Sequence, residues 1–222
     1  MASLTQQITV ADILDQLGPV PIARVRTNPP PGQATEQDVI DAEAQENRLF
    51  ELFDGVLLEK TMGFYESYLA ALLGQFLGAF VRDHDLGIVA GADGMLKLCQ
   101  GQVRIPDVSY VSWNKLPGRR VPLAPIPQLV PDLAIEVISK HNTEREMSRK
   151  LGEYFDAGMR AVWYVYPSTR TIRVFHSLAQ HEDVTEFEML QGGEVLPGFQ
   201  LRLAELFATP TDLGVEPETG TE

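Results

Sequence analysis

The 222-residue sequence predicts an α/β fold, a mixed β-sheet flanked by helices. Three observations predict it. Asp54-Gly55 is a two-residue turn signal between two apolar runs, which makes a hairpin. Tyr65 to His84 carries apolar residues at helical spacing. Beyond it come several short strand-like runs, a second helix signal at Thr143 and a further strand pair. That order of helix, strands, helix and strand builds a mixed sheet.

From the N-terminus, Thr9 caps a short helix, Ala11 to Leu17, which Gly18-Pro19 stops. Asn28-Pro29-Pro30-Pro31-Gly32 reads as a linker or turn. Thr35, with Asp38 three residues on, starts a helix that runs to about Asn47. The hairpin strands are Leu49 to Phe53 and Val56 to Glu59. On the long helix, Leu69, Leu72, Leu73, Phe76 and Phe80 form the expected buried face. Ile88 to Ala90, Met95 to Leu98 and Val103 to Val111 follow as strands, then a Pro-rich loop from Pro117 to Pro131. Leu133 to Ser139 alternates as a strand should. Thr143 and Glu146 form a capping box for the next helix, which Gly158 ends. Ala161 to Tyr166 and Thr171 to Phe175 pair around Pro167-Ser168, and Phe187 to Leu190 and Leu201 to Phe207 close the fold. The expected division is 1–34, an N-terminal appendage with a short helix and a Pro-rich linker; 35–208, the main domain; and 209–222, an acidic flexible tail.

Composition narrows the function. A hydrophobic fraction of 44% suffices for one sizeable core. No run matches the roughly 18 to 20 apolar residues of a membrane helix, because Gly74, Gln75 and Gly78 interrupt the best stretch. No membrane partner is therefore expected. The first residues carry no basic start and no apolar core, so no secretory signal is expected. Cys99 stands alone, which rules out an internal disulfide and fits a reducing, cytoplasmic setting. Net charge is -13, which argues against a general nucleic-acid binder. From Lys115 to Arg173, however, ten Lys or Arg face six Asp or Glu, a balance of +4 that leaves -17 for the remainder. Either a locally basic surface or ordinary scatter on solvated faces explains this.

Two apolar strand-like segments each contain a carboxylate. In Val103-Arg104-Ile105-Pro106-Asp107-Val108, alternation puts Asp107 on the face of Val103, Ile105 and Val111. In Asp132-Leu133-Ala134-Ile135-Glu136-Val137-Ile138, Glu136 shares a face with Asp132, Ala134 and Ile138. A buried unpaired carboxylate costs several kcal/mol, so a cation is expected nearby. Two carboxylates on adjacent strands suit a shared divalent metal such as Mg²⁺. The alternative is that each pairs with an Arg such as Arg104, or ends its strand in water.

Lys150 is i+3 from Met147 and i−4 from Tyr154, on or beside the apolar stripe Met147, Leu151, Tyr154 and Phe155. There it either orients a water beside a phosphate or snorkels at the helix edge. Arg149 and Glu153 are expected to point elsewhere. Lys140, on the Glu136 face, is a second basic option. Glu66 either adds a third carboxylate or, the favoured reading, steadies the helix N-terminus through the dipole. Glu59 has similar auxiliary status. Other chemistries fit worse. His84, His141, His176 and His181 lack ligand spacing, and there is no Gly-x-Ser-x-Gly elbow and no phosphate-cradling glycine loop before a helix.

Five segments taken in order resemble a known family. They are Phe50-Glu51-Leu52-Phe53-Asp54-Gly55-Val56-Leu57-Leu58-Glu59, Arg104-Ile105-Pro106-Asp107-Val108, Pro131 to Ser139, Lys150 with Tyr154 and Gly158, and Val162-Trp163-Tyr164-Val165. Together, over about Thr35 to Phe207, they resemble the Uma family of putative restriction endonucleases, within the PD-(D/E)XK nuclease superfamily. The resemblance implies a restriction-endonuclease-like core, DNA phosphodiester hydrolysis and Mg²⁺, or Mn²⁺, on Asp107 and Glu136. The superfamily's Lys would stand at Ile138; the resemblance implies that Lys150 supplies it from the following helix. Glu66, Lys140 and Tyr166 depart from the family pattern, where His, Pro and Asp are common. Nucleases of this fold often dimerise, so a homodimer is expected by analogy. The alternative is a nuclease-fold protein with weak or lost cleavage that acts as an interaction module.

Overall fold

The computed structural model describes residues 9–18 and 20–208. Pro19 and the expected acidic tail from 209 lie outside the described residues. Helix α1 (Val10–Leu17) starts at Thr9, whose hydroxyl accepts from the Asp12 N–H at 3.2 Å while the Asp12 carboxylate returns the bond. Helix α2 (Glu36–Glu46) repeats this box with Thr35 and Asp38. Strands β1 (Phe50–Phe53) and β2 (Val56–Glu59) form the expected hairpin. Both turn residues are left-handed, with φ of 47° at Asp54 and 72° at Gly55, as the twisted two-residue turn requires. A Cβ on Gly55 would come within 2.5 Å of the Gly32 backbone, so only glycine fits.

Helix α3 (Phe64–Asp83) is followed by β3 (Gly87–Ala90), β4 (Leu96–Cys99), β5 (Gln102–Arg104) and β6 (Val108–Ser112). The buried stripe of α3 is Leu69, Leu73, Leu77 and Val81, with Ala70 beside it. Leu72, Phe76 and Phe80 flank the stripe and are only half-buried, because strict i, i+4 spacing places the aromatics one row aside. By length and mean hydropathy alone α3 would qualify to cross a membrane, contrary to the expectation from its glycines. Here its stripe packs against the sheet.

Strand β7 (Leu133–Val137), helix α4 (Glu144–Asp156) and strand β8 (Ala161–Tyr166) make a parallel pair with a helical crossover. Strands β9 (Thr171–Phe175), β10 (His181–Thr185), β11 (Met189–Gln191) and β12 (Gln200–Arg202) and helix α5 (Leu203–Phe207) complete the chain. Strand β10 is polar on nearly every residue and carried no sequence signal.

Two main sheets result. One has the order β2-β1-β5-β4; the other has the order β10-β9-β8-β7-β6-β3 and is mixed. The larger sheet is covered by α3 and α5 on one face, over Leu133, Ile135 and Val137, and by α4 on the other, over Ala134, Val162 and Tyr164. The N-terminal segment contributes side chains to a further core beside the hairpin sheet. Ile13, Val20 and Val25 form a core with Phe53, Val56 and Leu58.

The expected single strand from Val103 to Val111 is in fact two. Strand β5 pairs with β1 and β4, whereas β6 pairs with β3 and β7. Pro106 has no N–H to donate and interrupts the ladder, so the chain changes sheets across Ile105–Asp107. The Ile105 N–H goes instead to the Glu51 carboxylate at 3.0 Å, and pairing with β7 resumes with Asp107 N–H to Ile135 O at 3.0 Å. Asp107 therefore stands at the junction of the sheets, not on a common face with Val103 and Ile105.

Candidate active site

The change of sheet at Pro106 turns the Asp107 carboxylate into a small cavity of about 30 Å³. Asp107 is buried. Its Oδ2 accepts from the Val137 N–H at 2.7 Å, and its Oδ1 lies 2.8 Å from Lys60 Nζ. Strand alternation on β7 sends Leu133, Ile135 and Val137 towards α3, so Glu136 must face α4. There Lys150 Nζ stands 3.0 Å from Glu136 Oε1 and 2.9 Å from Glu51 Oε1 on β1. The Tyr154 hydroxyl, one turn further along α4, also donates to Glu136 Oε1. Lys150 and Tyr154 share the buried face of α4 with Met147 and Leu151 because of their i, i+3, i+4 and i+7 spacing. The cavity is lined by Asp107, Glu136, Lys150, Glu51 and Lys60, with Glu66 and Met62 among its other walls.

The electrostatics of the two glutamates diverge. Burial alone would raise the Glu51 carboxyl, but Lys150 and Arg104, with the Ile105 N–H, reverse it and hold it at about 2. Burial is also the largest influence on Glu136, and there Asp107 and Glu51 add repulsion. Lys150 offsets only part of this, and the Glu136 carboxyl is pushed up to about 7. Lys150 is held above the usual ammonium range, since Glu136 and Glu51 outweigh its burial. The Tyr154 hydroxyl is pushed well up by burial, then by Glu136 and Glu51. The cavity is short of positive charge.

A second ring of ion pairs holds these side chains. Arg104 reaches Glu51 at 3.3 Å and grips Glu153 on α4. Arg149 continues the chain from Glu153, at 2.8 Å, to Asp54 in the hairpin turn, at 2.6 Å. Arg149 and Glu153 thus brace the site from behind, instead of pointing away as their helical positions suggested. On the opposite rim, Arg24 donates to both oxygens of Glu146, at 3.0 and 3.3 Å, and to the backbone carbonyls of Glu59 and His141.

The structure brings Asp107, Glu136 and Lys150 together around one cavity. Glu66 reaches the same cavity from the first turn of α3, with its carboxylate folded back over Gly63. Glu59 does not reach it. Its carboxylate is held by Arg48 at 2.5 and 2.8 Å, because strand alternation on β2 aims it away from α4. Lys140 lies exposed beyond the end of β7 and is not a wall of the cavity. Arg104, weighed as a partner for the strand carboxylates, pairs with neither Asp107 nor Glu136. Several of the basic residues between Lys115 and Arg173 are paired with acids. Arg119, Arg145, Arg149, Arg170 and Arg173 each pair with an acid, respectively Asp85, Asp15, Asp54, Glu186 and Asp183. Sequence pattern does not single out Lys60, Tyr154 and Arg24 as site groups. For Tyr154 the only signal was its i+4 spacing from Lys150. For Lys60, which follows the hairpin, there was none.

The residues present fit a hard divalent ion. Asp107 and Glu136 are oxygen donors on one cavity that has room for about a water-sized ligand. Burial, then Asp107 and Glu51, disfavour the Glu136 anion, and an added cation would relieve that. Among the described residues no cage of three or more His, Cys, Asp or Glu ligands is formed.

A family model described as Uma2, putative restriction endonuclease, matches residues 36–204. Among solved structures, a putative nuclease belonging to DUF820 from Anabaena variabilis superposes with a TM-score of 0.64 at 17% sequence identity. The match covers 72% of this chain and 89% of that one. At that identity the likeness concerns the fold. No curated protein sequence matches the chain.

Proposed function

The chain belongs to the Uma2 family of putative restriction endonucleases, and on that premise we propose that it is a Mg²⁺- or Mn²⁺-dependent endonuclease that hydrolyses DNA phosphodiester bonds. The observation that carries this reading is the meeting of Asp107, Glu136 and Lys150 at one buried cavity, with Lys150 Nζ 3.0 Å from Glu136. Asp107 and Glu136 would hold the ion. Once bound, it supplies a Lewis acid and lowers the pKa of a coordinated water. The chain's own side chains do the rest. Tyr154 and Lys150 both act on Glu136 Oε1 and fix the carboxylate's orientation. The Val137 N–H does the same for Asp107. Lys150, kept charged by Glu51 and Glu136, places a cation beside an entering phosphate and steadies the charge that develops there.

Incubation with plasmid and Mg²⁺ or Mn²⁺, beside Asp107→Ala and Glu136→Ala, tests the reading. Ion-dependent cleavage by the wild type and loss of cleavage in both variants is the expected result. Cleavage that survives both substitutions overturns the site.

A second reading is a nuclease-fold protein that has weak or lost cleavage and serves as an interaction module. One observation favours it: the Lys60 ammonium already neutralises Asp107, in a protein of net charge -13. Absence of both cleavage and ion binding by the wild type would select it.

A further inference from the structure

Lys60 follows the last residue of β2, and its N–H donates to Leu49 O at 2.9 Å, which fixes its backbone at the hairpin end. Its side chain is only 10% exposed. The ammonium has three protons and three acceptors: Asp107 Oδ1 at 2.8 Å, Ile105 O at 2.6 Å and Ala92 O at 3.1 Å. Ile105 immediately precedes the Pro106 break, and Ala92 follows β3. The cation is thus built into the wall of the cavity on the side of Asp107, as Lys150 is on the side of Glu136. Each carboxylate proposed to hold the metal has its own ammonium.

The two ammonium groups are not equivalent. Lys150 has a second carboxylate, Glu51, so it remains neutralised when Glu136 engages another cation. Among the described residues Lys60 makes its ion pair with Asp107 alone, and its hydrogen bonds otherwise go to neutral carbonyls. A divalent ion on Asp107 would leave Lys60 beside a like charge in a buried site, where repulsion is strong.

We propose that Lys60 is a resident counter-ion for Asp107: its ammonium competes with the divalent ion for that carboxylate, and the Lys60–Asp107 pair and ion binding exclude one another. This rests on the metal-site reading above and adds to it a device that sets how readily the site loads. A purely structural Lys60 would support folding without opposing the ion.

Calorimetric titration of the full chain with Mn²⁺ separates these cases. The proteins compared are wild type, Lys60→Gln, Lys60→Arg and Asp107→Asn. Removing the competing charge in Lys60→Gln should tighten Mn²⁺ binding by roughly tenfold, the size of an ordinary coupling between two ligands of one site. Lys60→Arg, which keeps the charge, should stay near wild type, and Asp107→Asn should lose the binding. A second measurement does not depend on Lys60→Gln folding. In wild type labelled with ¹⁵N at lysine Nζ, the Lys60 ammonium signal, assigned by its absence in Lys60→Arg, should shift or vanish as Mg²⁺ saturates the site. Asp107-dependent Mn²⁺ binding that is no tighter in Lys60→Gln overturns the inference and leaves the metal site standing. A Lys60 signal unmoved by saturating Mg²⁺ does the same. If neither wild type nor Lys60→Gln binds Mn²⁺, the inference and the metal-site reading fail together.

Discussion

Glu51 and Glu136 stand on different sheets and share one ammonium, that of Lys150, at 2.9 and 3.0 Å. The pairing joins the hairpin sheet, the mixed sheet and α4 at one point. It also divides the labour between the two glutamates. Glu51 is the permanent counter-charge, held at about 2, and Glu136 is the carboxylate left short of positive charge at about 7.

Glu51→Gln should damage both folding and chemistry. Glu51 accepts from Lys150, Arg104 and the Ile105 N–H, so the substitution strips two buried cations of a partner. Breaking buried pairs of this kind costs about 3 kcal/mol or more, which urea unfolding would measure. Cleavage should also fall, because Lys150 loses the carboxylate that holds it in place.

Glu136 should make the ion-free protein less stable as pH rises. Its folded value, about 7, lies above the ordinary 4.5, so between those two pH values the native state binds the extra proton. The contribution is therefore favourable at low pH and fades from about 4.5 to about 7. Glu136→Gln should raise the melting temperature of ion-free protein at pH 8 relative to wild type, with little gain at pH 5. Glu51 has the opposite sign. Its stabilisation is present above about 4.5 and is lost as pH falls towards about 2. Melting at pH 5 and pH 8 checks the Glu136 limb, and a series from pH 5 down to about 2 checks the Glu51 limb. An equal effect of Glu136→Gln at pH 5 and pH 8 would contradict the former.

Below about pH 7, metal binding should release a proton. A divalent ion requires the ionised Glu136 carboxylate, so its affinity should decline as pH falls through about 7. Calorimetry in buffers of different ionisation enthalpy reads the proton count directly.

Tyr154→Phe should act on Glu136 and not on the core. The ring stays buried, but the hydroxyl that donates to Oε1 is gone. The stability cost of such a lost bond is about 1 to 2 kcal/mol. Because the hydroxyl favours the ionised carboxylate, the lower limb of the pH–cleavage profile should move to higher pH.

Arg24→Ala should loosen the N-terminal segment from α4. Arg24 is buried with Glu146 and also binds two backbone carbonyls. Its loss leaves Glu146 a buried charge in want of its partner, at a cost of about 3 kcal/mol. Limited proteolysis should then cut between residues 20 and 34 faster than in wild type.

Much of this protein is set by local pattern. The capping boxes at Thr35 and Thr143, the Asp54-Gly55 turn, and the helical spacing of Leu69, Leu73, Met147 and Leu151 are short-range signals, and those elements stand where the sequence puts them. The same period on α4 places Lys150 on a buried face, and alternation on β7 turns Glu136 towards it, so half of the candidate site is readable from spacing alone. The other half depends on which strands become neighbours. One proline divides a run of apolar residues between two sheets. That break, invisible to alternation, puts Asp107 at their junction, brings Glu51 of β1 to Lys150 of α4, and delivers Lys60 from the end of a hairpin to the Asp107 carboxylate. Charge pairing across long sequence separations has no period. Spacing therefore identifies the acids and the lysine, while only the tertiary structure decides which cation each buried carboxylate meets.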